Sequence, residues 1–457
     1  MKAILQFAPP VLCSVLLYQF YSLVDTLIVG RCLGNLALAG VGSTGSMNFL
    51  VMGFVMGLCN GFMIPLAQHC GAKNPEGMRK VIAYTKALCI VFAAVISVLS
   101  CLLAGPGLRW MNTPDTILAY AQGYILVIFA GIPVSIFSNV TSGIIRTLGD
   151  SRFPFLVSVF STALNVILDL LLILVIPMSV TGAALATVLS QLFTGVVCTA
   201  YLKKHFPELL DGRIPRHPEY AYVRVLLLSG VPMGLQFTIT AVGSVILQTA
   251  VNGLGDAAVT AQTAAGRVGG LMACPFDALA TTMTVYAGQN TGAGKYSRLT
   301  PGLRACFFIG MIYTAAANLF VTFFAPGLAA LFLDDPNPTV ITWAAMAIRW
   351  SCAFYPFLLL VNSVRYVIQG MGYASLAMIA GACELVARAF AALLLVPRIG
   401  YTGVCLASPI AWLLADIFLI SCYLHLIHKL MPKAPLDEQA GIPVRTGHSL
   451  LPRRQHT

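Results

Sequence analysis

The two halves of this chain repeat one pattern at an offset of 220 to 223 residues. The repeated residues are mostly glycine and proline, which determine where helices begin, bend and end. A steady offset along the whole chain is hard to obtain by chance, so we predict a duplicated structural unit. The matched positions are Pro10 and Pro232, Gly34 and Gly255, Gln68 and Gln289, Gly71 and Gly292, Pro133 and Pro356, Asn139 and Asn362, Gly149 and Gly372, and Thr181-Gly182 and Thr402-Gly403.

The composition requires a lipid environment. Of 457 residues, 58% are hydrophobic and 9% are charged, whereas soluble domains contain about 25% charged residues. A segment inside a bilayer must satisfy its own backbone hydrogen bonds, so every span is predicted to be a helix. Twelve apolar stretches are long enough to cross about 30 Å of hydrocarbon. Their predicted limits are 4–30, 38–68, 84–107, 120–143, 153–177, 180–202, 223–254, 258–290, 303–333, 342–370, 374–397 and 402–427.

The predicted fold is therefore all-α and polytopic, with twelve transmembrane helices in two six-helix bundles. Because six is an even number, the second copy enters the membrane in the same direction as the first, which makes the repeat parallel. We expect an amino-terminal lobe at 1–202, a cytoplasmic linker at 203–222, a carboxy-terminal lobe at 223–427 and a disordered cytoplasmic tail at 428–457. A duplicated helical unit of this kind is typical of transporters that work between two halves.

The basic residues predict the orientation. If the amino terminus is cytoplasmic, 20 of the 27 lysines and arginines fall in cytoplasmic segments. Only Arg31, Arg109 and Arg398 fall on the outer side of the membrane, and the other four lie inside predicted spans. Such a bias places both termini in the cytoplasm. It also accounts for the net charge of +11 without a nucleic-acid partner. The 13 cysteines have neither CxxC nor metal-ligand spacing and are interpreted as apolar packing residues.

Nine ionisable residues lie inside the predicted spans. Each costs at least about 2.5–3.5 kcal/mol at a helix centre, so each is a functional candidate. They are Asp25, Asp169, Asp277, Glu384, Asp416, Arg267, Arg349, Arg365 and Arg388.

Several of these residues have a structural interpretation. Glu384 and Arg388 are spaced i,i+4 and are predicted to pair on one helix face. Arg349 and Arg365 lie near the two ends of one span and are expected to extend towards the membrane surface. Two alternatives remain open for Asp277, which either pairs with Arg267 across a proline-bent span or lines a cavity.

Asp25 and Asp169 differ from the others because they share a depth. They lie five and eight residues from the outer ends of their spans, roughly 8–12 Å below the surface. Asn165 is one turn from Asp169 on the same face, and Thr187 reaches a similar level. These oxygen ligands suit Na⁺, and two neighbouring carboxylates suit H⁺. The alternative is that each acid independently bonds a neighbouring helix. The positions of the second half that correspond to Asp25 and Asp169 are apolar.

Five sequence strings resemble those of the multidrug and toxic compound extrusion (MATE) family of secondary transporters. The resemblance covers roughly residues 1–430 and implies two six-helix bundles forming a V, which export substrate in exchange for H⁺ or Na⁺. Chains of the family usually begin somewhat earlier, which suggests a clipped amino terminus. The strings are YSLVDTLIVGR (21–31), IRTLGDSR (145–152), LNVILDLL (164–171), GAALATVLSQ (182–191) and GQNTGAGK (288–295).

The resemblance also assigns residues. The family's amino-lobe cation site falls on Asp25, Asn165, Asp169 and Thr187, and its hinge proline of span 1 falls on Pro10. Acids that one branch carries on spans 7 and 10 are replaced here, which leaves the amino lobe as the coupling element. The candidates for lining a substrate cavity are Gln236, Asp277, Arg267 and Asn362.

The predicted function is secondary active efflux, an antiport of a small lipophilic cationic molecule against H⁺ or Na⁺, in the cell membrane. We expect a monomer and no cofactor besides the coupling ion. A flippase for lipid-linked oligosaccharide of the same superfamily is the nearest alternative. An intramembrane enzyme is disfavoured because the chain contains neither HExxH nor GxSxG. A passive channel is distinguished from a transporter because it cannot move substrate against a concentration gradient.

Overall fold

A computed structural model describes residues 2–111, 113–210, 212, 219–333 and 337–430. Most of the predicted tail, at 431–457, and the centre of the predicted linker, at 211 and 213–218, lie outside the described residues. Within the described ranges all regular secondary structure is helical, as the apolar stretches predict.

The described part of the amino-terminal half contains nine α-helices. A π-helical turn, Leu171–Val175, continues the seventh of them. The helices are α1 Lys2–Leu33, α2 Asn35–Ser43, α3 Gly45–Gly71, α4 Pro75–Trp110, α5 Asp115–Ala130, α6 Ile132–Thr147, α7 Arg152–Leu170, α8 Ser179–His205 and α9 Pro207–Leu210.

Eight α-helices are found in the carboxy-terminal half as far as the structure describes it. A π-helical turn, Ala391–Leu395, follows the sixth of these, at the position equivalent to the first π-turn. The helices are α10 Tyr220–Asn252, α11 Asp256–Gly292, α12 Leu299–Ala330, α13 Pro338–Ala353, α14 Tyr355–Gly370, α15 Ala374–Phe390, α16 Val396–Ile399 and α17 Tyr401–Leu430.

The helices account for the twelve predicted spans. Ten are long and apolar enough to cross a membrane alone or with their π-turn, and two more spans arise when the bent pairs α5–α6 and α13–α14 each count as one. The spans predicted at 120–143 and 342–370 are each formed by two helices, which meet at bends of 47° and 50°. The predicted span at 38–68 is also interrupted, because α2 ends at Ser43 and α3 begins at Gly45.

Proline explains the two bends. Pro133 and Pro356 lack an N–H, so the carbonyls of Phe129 and Cys352 lose their helical partners. A side chain from a neighbouring span replaces each lost donor, as the absence of water in the bilayer demands. Ser97 Oγ on α4 donates to Phe129 O at 2.7 Å, and Asn318 Nδ2 on α12 donates to Cys352 O at 2.9 Å. Both halves thus contain the proline bend and a side chain from a neighbouring span that bonds the freed carbonyl.

Matched glycines mark equivalent turns in the two halves. Gly34 and Gly255 have φ of 85° and 93°, and Gly149 and Gly372 have φ of 104° and 97°. A side chain is disfavoured at such positive φ values, which explains why both copies keep glycine there.

The lobes contact each other through the first two spans of each half. Helix α3 packs against α10, α1 against α11, and α3 against α11. Glycines of α3 form part of this interface. A Cβ atom at Gly57 would lie 2.5 Å from Met233 O, and one at Gly61 would lie 2.5 Å from Gly230 Cα. Glycine therefore permits the close approach of α3 and α10.

The described ends of the predicted linker contact the amino lobe. Glu208 forms an ion pair with Arg79 at 3.3 Å, and Glu219 forms one with Lys80 at 2.6 Å. The Tyr84 hydroxyl accepts a bond from the Glu219 N–H at 2.7 Å. Helix α8 continues to His205 and α10 begins at Tyr220, so the connection is shorter than the predicted 203–222.

Candidate cation site and inter-lobe cleft

Three packed helices of the amino lobe hold the four residues predicted to bind a cation. Asp25 lies on α1, Asn165 and Asp169 on α7, and Thr187 on α8. All four side chains are buried, with Asp169 at 0% and Asp25 at 7% exposure. The two carboxylates are close enough for their charges to interact. The two acids therefore belong to one buried region where α1, α7 and α8 pack together.

Most polar atoms of this site have no hydrogen-bond partner. Within the described residues this is true of Asp25 Oδ1, both amide atoms of Asn165 and both carboxylate oxygens of Asp169. No ion pair involving either acid is found in the same part of the chain. A buried, unpartnered polar group costs about 1–3 kcal/mol and more when charged. The site therefore has a surplus of oxygen acceptors that a cation can satisfy.

Two tyrosines next to the acids were missed by the sequence reasoning. The Tyr21 and Thr187 hydroxyl oxygens lie 2.5 Å apart. Because Thr187 donates to Ala183 O at 3.2 Å, the shared proton belongs to Tyr21. Tyr124, on α5, is close enough to interact with both acids. The i,i+4 spacing of Tyr21 and Asp25 was a signal that could have found the first of them.

The donor set fits H⁺ or an alkali cation better than a transition metal. Two carboxylates, one amide and one or two hydroxyls offer hard oxygen ligands. In the described ranges, no group of three or more His, Cys, Asp and Glu side chains could hold a metal ion.

A cleft of about 260 Å³ lies between α1 and α11. The predicted cavity residue Arg267 is exposed in it. The other lining residues are Gln19, Ser22, Leu23, Gly266, Gly270, Leu271 and Phe332.

The other candidates for cavity lining occupy different places. Asp277 is exposed on α11, about 15 Å along the helix from Arg267, and no ion pair joins the two in the described chain. Gln236 is buried, and its Oε1 accepts a bond from Gln369 Nε2 at 2.7 Å. Asn362 is half-buried on α14. Neither Gln236 nor Asn362 is among the residues around the cleft.

The structure confirms one predicted ion pair and corrects one arginine. Arg388 Nη2 lies 3.4 Å from Glu384 Oε2, as the i,i+4 spacing predicted. The prediction that Arg365 extends to the membrane surface was wrong, because its side chain is buried and pairs with Glu384. A partner on the next span makes burial less costly than extension. Arg349 is exposed and donates to Thr322 O at 3.1 Å.

Equivalent glutamines join the lobes at the end that carries the basic loops. Gln68 Nε2 on α3 donates to Gly370 O at 3.1 Å. Gln289 Nε2 on α11 donates to Thr147 O at 2.9 Å. The two bonds are related by the repeat, since both donors and both acceptors are matched positions. They cross between the lobes in both directions.

The helix ends beside these glutamines are in backbone contact. A Cβ atom at Gly71 would lie 1.8 Å from Gln289 O, and one at Gly292 would lie 1.8 Å from Gln68 O. Real Cβ atoms do not approach so closely. The lobes are therefore closed against each other at this end, and only glycine permits that closure.

The predicted hinge proline lies inside α1. Helix α1 runs without interruption from Lys2 to Leu33 and contains Pro10. Pro10 cannot donate to the Gln6 carbonyl, which weakens the helix there, and Ser14 Oγ donates to Pro10 O at 3.0 Å. Its counterpart Pro232 lies within α10. The hinge role of Pro10 stays a prediction.

A family model matches the chain twice. The MatE model covers residues 10–171 and again 232–394, in agreement with the offset of the repeat. The chain belongs to the MATE family. It is accordingly a multi-pass membrane transporter and not an enzyme.

Curated relatives extend over most of the chain. It is 30% identical over 383 residues to the probable multidrug resistance protein YpnP of Bacillus subtilis, with 83% of each chain covered. It is 24% identical to an FAD transporter of Shewanella oneidensis, over 92% of this chain and 93% of that protein. The probable multidrug resistance protein NorM of Thermotoga maritima is 22% identical, over 81% and 80%.

Solved MATE structures share the fold. A multidrug resistance MATE transporter in an outward-facing conformation superimposes with a TM-score of 0.86 at 24% identity, over 94% of this chain and 96% of that one. A MATE structure described as bent gives the same values. The arrangement of two six-helix lobes is therefore that of the family.

Proposed function

We propose that this MATE protein exports a small lipophilic cationic molecule in exchange for H⁺ or Na⁺. The observation that carries the proposal is the buried amino-lobe site, where Asp25, Asn165 and Asp169 present unpartnered oxygens and no arginine. A cation that enters this site removes a desolvation penalty, so the site is suited to bind and release an ion. The names of YpnP and NorM, probable multidrug resistance proteins, support a drug-like cargo.

The coupling ion acts by favouring one conformation over the other. An ion can shift the equilibrium only by its difference in affinity between the two states. In the state described here the lobes are closed at the basic-loop end, and a cleft lies between α1 and α11. An ion arriving from the opposite side neutralises the Asp25 and Asp169 pocket, and cargo is released as the lobes rearrange. Bending of α1 at Pro10 would link the pocket to the cleft.

An anionic amphiphile is the second candidate cargo. Arg267 is exposed in the cleft between the lobes, and a guanidinium pairs well with phosphate. The superfamily alternative, a lipid-linked oligosaccharide, and the FAD carried by the Shewanella relative share this chemistry. Dye uptake that is unaffected in Arg267→Gln would favour the cationic cargo, whereas loss of lipid or FAD movement in that variant would favour the anionic one.

The membrane orientation is part of the proposal. The basic loops place both termini in the cytoplasm, and the closed end of the lobes then faces the cytoplasm. A monomer in the cell membrane suffices for this mechanism, because both lobes belong to one chain.

The deciding experiment uses full-length protein in liposomes. Export of a cationic dye is measured under a pH gradient alone and then under a sodium gradient alone. We expect one gradient to drive uphill movement and Asp25→Asn to abolish it. Asp256→Asn, which changes an exposed acid at the start of α11, is the matched control and should export normally. Full export by Asp25→Asn at wild-type expression would refute the coupling role.

A further inference from the structure

The carboxy lobe contains a second buried cluster of charged groups. It consists of Arg365 on α14, Glu384 and Arg388 on α15, and Asp416 on α17. All four side chains are buried, and Asp416 is only 2% exposed. The mechanism proposed above does not use this cluster.

Glu384 pairs with both arginines, and Asp416 has no hydrogen bond within the described residues. Arg365 Nη2 donates to Glu384 Oε1, and Arg388 Nη2 lies 3.4 Å from Glu384 Oε2. Arg388 Nη1 also donates to Thr240 O at 3.3 Å. Both oxygens of Asp416 and Arg365 Nε have no hydrogen-bond partner within the described residues. Asp416 is nevertheless close enough to interact electrostatically with Arg365 and Glu384.

Burial and a neighbouring arginine act on the Asp416 carboxylate in opposite directions. Burial without a hydrogen bond disfavours its ionised form, at a cost of several kcal/mol, and is the larger effect. The positive charge of Arg365 favours the ionised form. A site where these effects oppose each other can both take up and release a proton.

We propose that Asp416 is a second proton-binding site and that Arg365 changes partner as the proton leaves. With Asp416 protonated, both arginines bond Glu384, as seen here. When the proton passes to water, Arg365 turns its unused Nε towards the Asp416 carboxylate. Arg388 stays with Glu384, so the released state consists of two neutral ion pairs. This inference rests on the proposed exchange function, to which it adds a site in the other lobe.

The remaining helices packed on α17 contribute no comparable charge in the part of the chain described. Arg349 of α13 is exposed and bonded to Thr322 O, and Arg398 of α16 is exposed. The only arginine of α10, Arg224, lies in its first turns. The Tyr355 ring of α14 lies 6.5 Å from that of Trp412, one turn from Asp416, and offers a neutral phenol. Among the described residues, Arg365 is the cation whose charge acts on Asp416.

The test is infrared difference spectroscopy of the full-length protein in lipid between acidic and alkaline buffer. The carbonyl stretching band of a protonated carboxyl reports each buried acid directly, without transport. We expect Asp416→Asn to lose one such band and Asp416→Glu to retain one. In Arg365→Gln the Asp416 band should persist into more alkaline buffer, because its ionised form has lost its partner. Asp256→Asn serves as the control and should match the wild-type spectrum.

The outcomes separate this inference from the proposed function. An Asp416→Asn spectrum identical to wild type would overturn the second site, even if Asp25→Asn abolishes export. An Asp416 band that is present while Asp25→Asn exports normally would leave the second site standing and remove the amino-lobe coupling role. Persistence of the Asp416 band in Asp25→Asn is expected, because the two acids lie in different lobes.

Discussion

The amino lobe leaves its buried acids without a basic partner, whereas the carboxy lobe surrounds its own with arginines. Asp25 and Asp169 are buried and close enough for their charges to interact, and no ion pair in the described chain includes them. Glu384, in contrast, bonds both Arg365 and Arg388. The two lobes share one repeated architecture, but the environment of their buried acids differs. Duplication therefore preserved the helices without preserving the charge partners inside them.

The largest expected effect is a loss of stability when the ion pairs of Glu384 are removed. Glu384→Gln removes the carboxylate with which both buried arginines pair in this structure, and removal of one partner of a buried pair costs about 3–5 kcal/mol. We expect a clear fall in the thermal unfolding temperature in detergent. Asp169→Asn removes an acid that has no partner, so its unfolding temperature should stay unchanged or rise while coupled export is lost.

The stability control is an exposed ion pair. Glu208→Gln removes the partner of Arg79 at the surface, and it should change unfolding little because exposed pairs contribute little. A similar loss of stability in Asp169→Asn and Glu384→Gln would contradict the contrast between the lobes.

The second prediction concerns the place where the lobes are alike. Gly71→Ala puts a Cβ atom against Gln289 O, and Gly292→Ala puts one against Gln68 O. Each should prevent full closure of the basic-loop end and reduce export by at least about tenfold, equivalent to about 1.4 kcal/mol. The separation of the α3 and α11 ends, measured by spin-label distances, should increase equally in both variants.

A glycine in open space provides the control for these substitutions. Gly45→Ala lies at the start of α3 with nothing within 4 Å of the new Cβ atom, and it should close and export normally. Unequal distance changes in Gly71→Ala and Gly292→Ala would show that the closure is not symmetric.

The smallest expected effect sharpens the description of the amino-lobe site. Tyr21→Phe removes the hydroxyl that bonds Thr187, and one hydrogen bond contributes about 0.5–1.5 kcal/mol. We expect the concentration of the coupling ion that gives half-maximal export to rise severalfold, while the maximal rate of export is retained. Tyr18→Phe, one turn earlier on α1 and exposed, should leave the ion dependence unchanged. Loss of all export in Tyr21→Phe would point to a direct role in ion transfer.

The membrane environment, the twelve spans and the parallel repeat could be predicted from the sequence, which also predicts a common depth for Asp25 and Asp169. These features depend on apolar length and on helix rise, both of which are read along a single helix. Only the packing of the helices shows which side chains cap the bends near Pro133 and Pro356, which residue pairs with Arg365 and that Tyr21 bonds Thr187. Each of these depends on which faces of different helices meet, and in lipid many such arrangements satisfy the backbone equally well. Spacing within one helix does not contain that information.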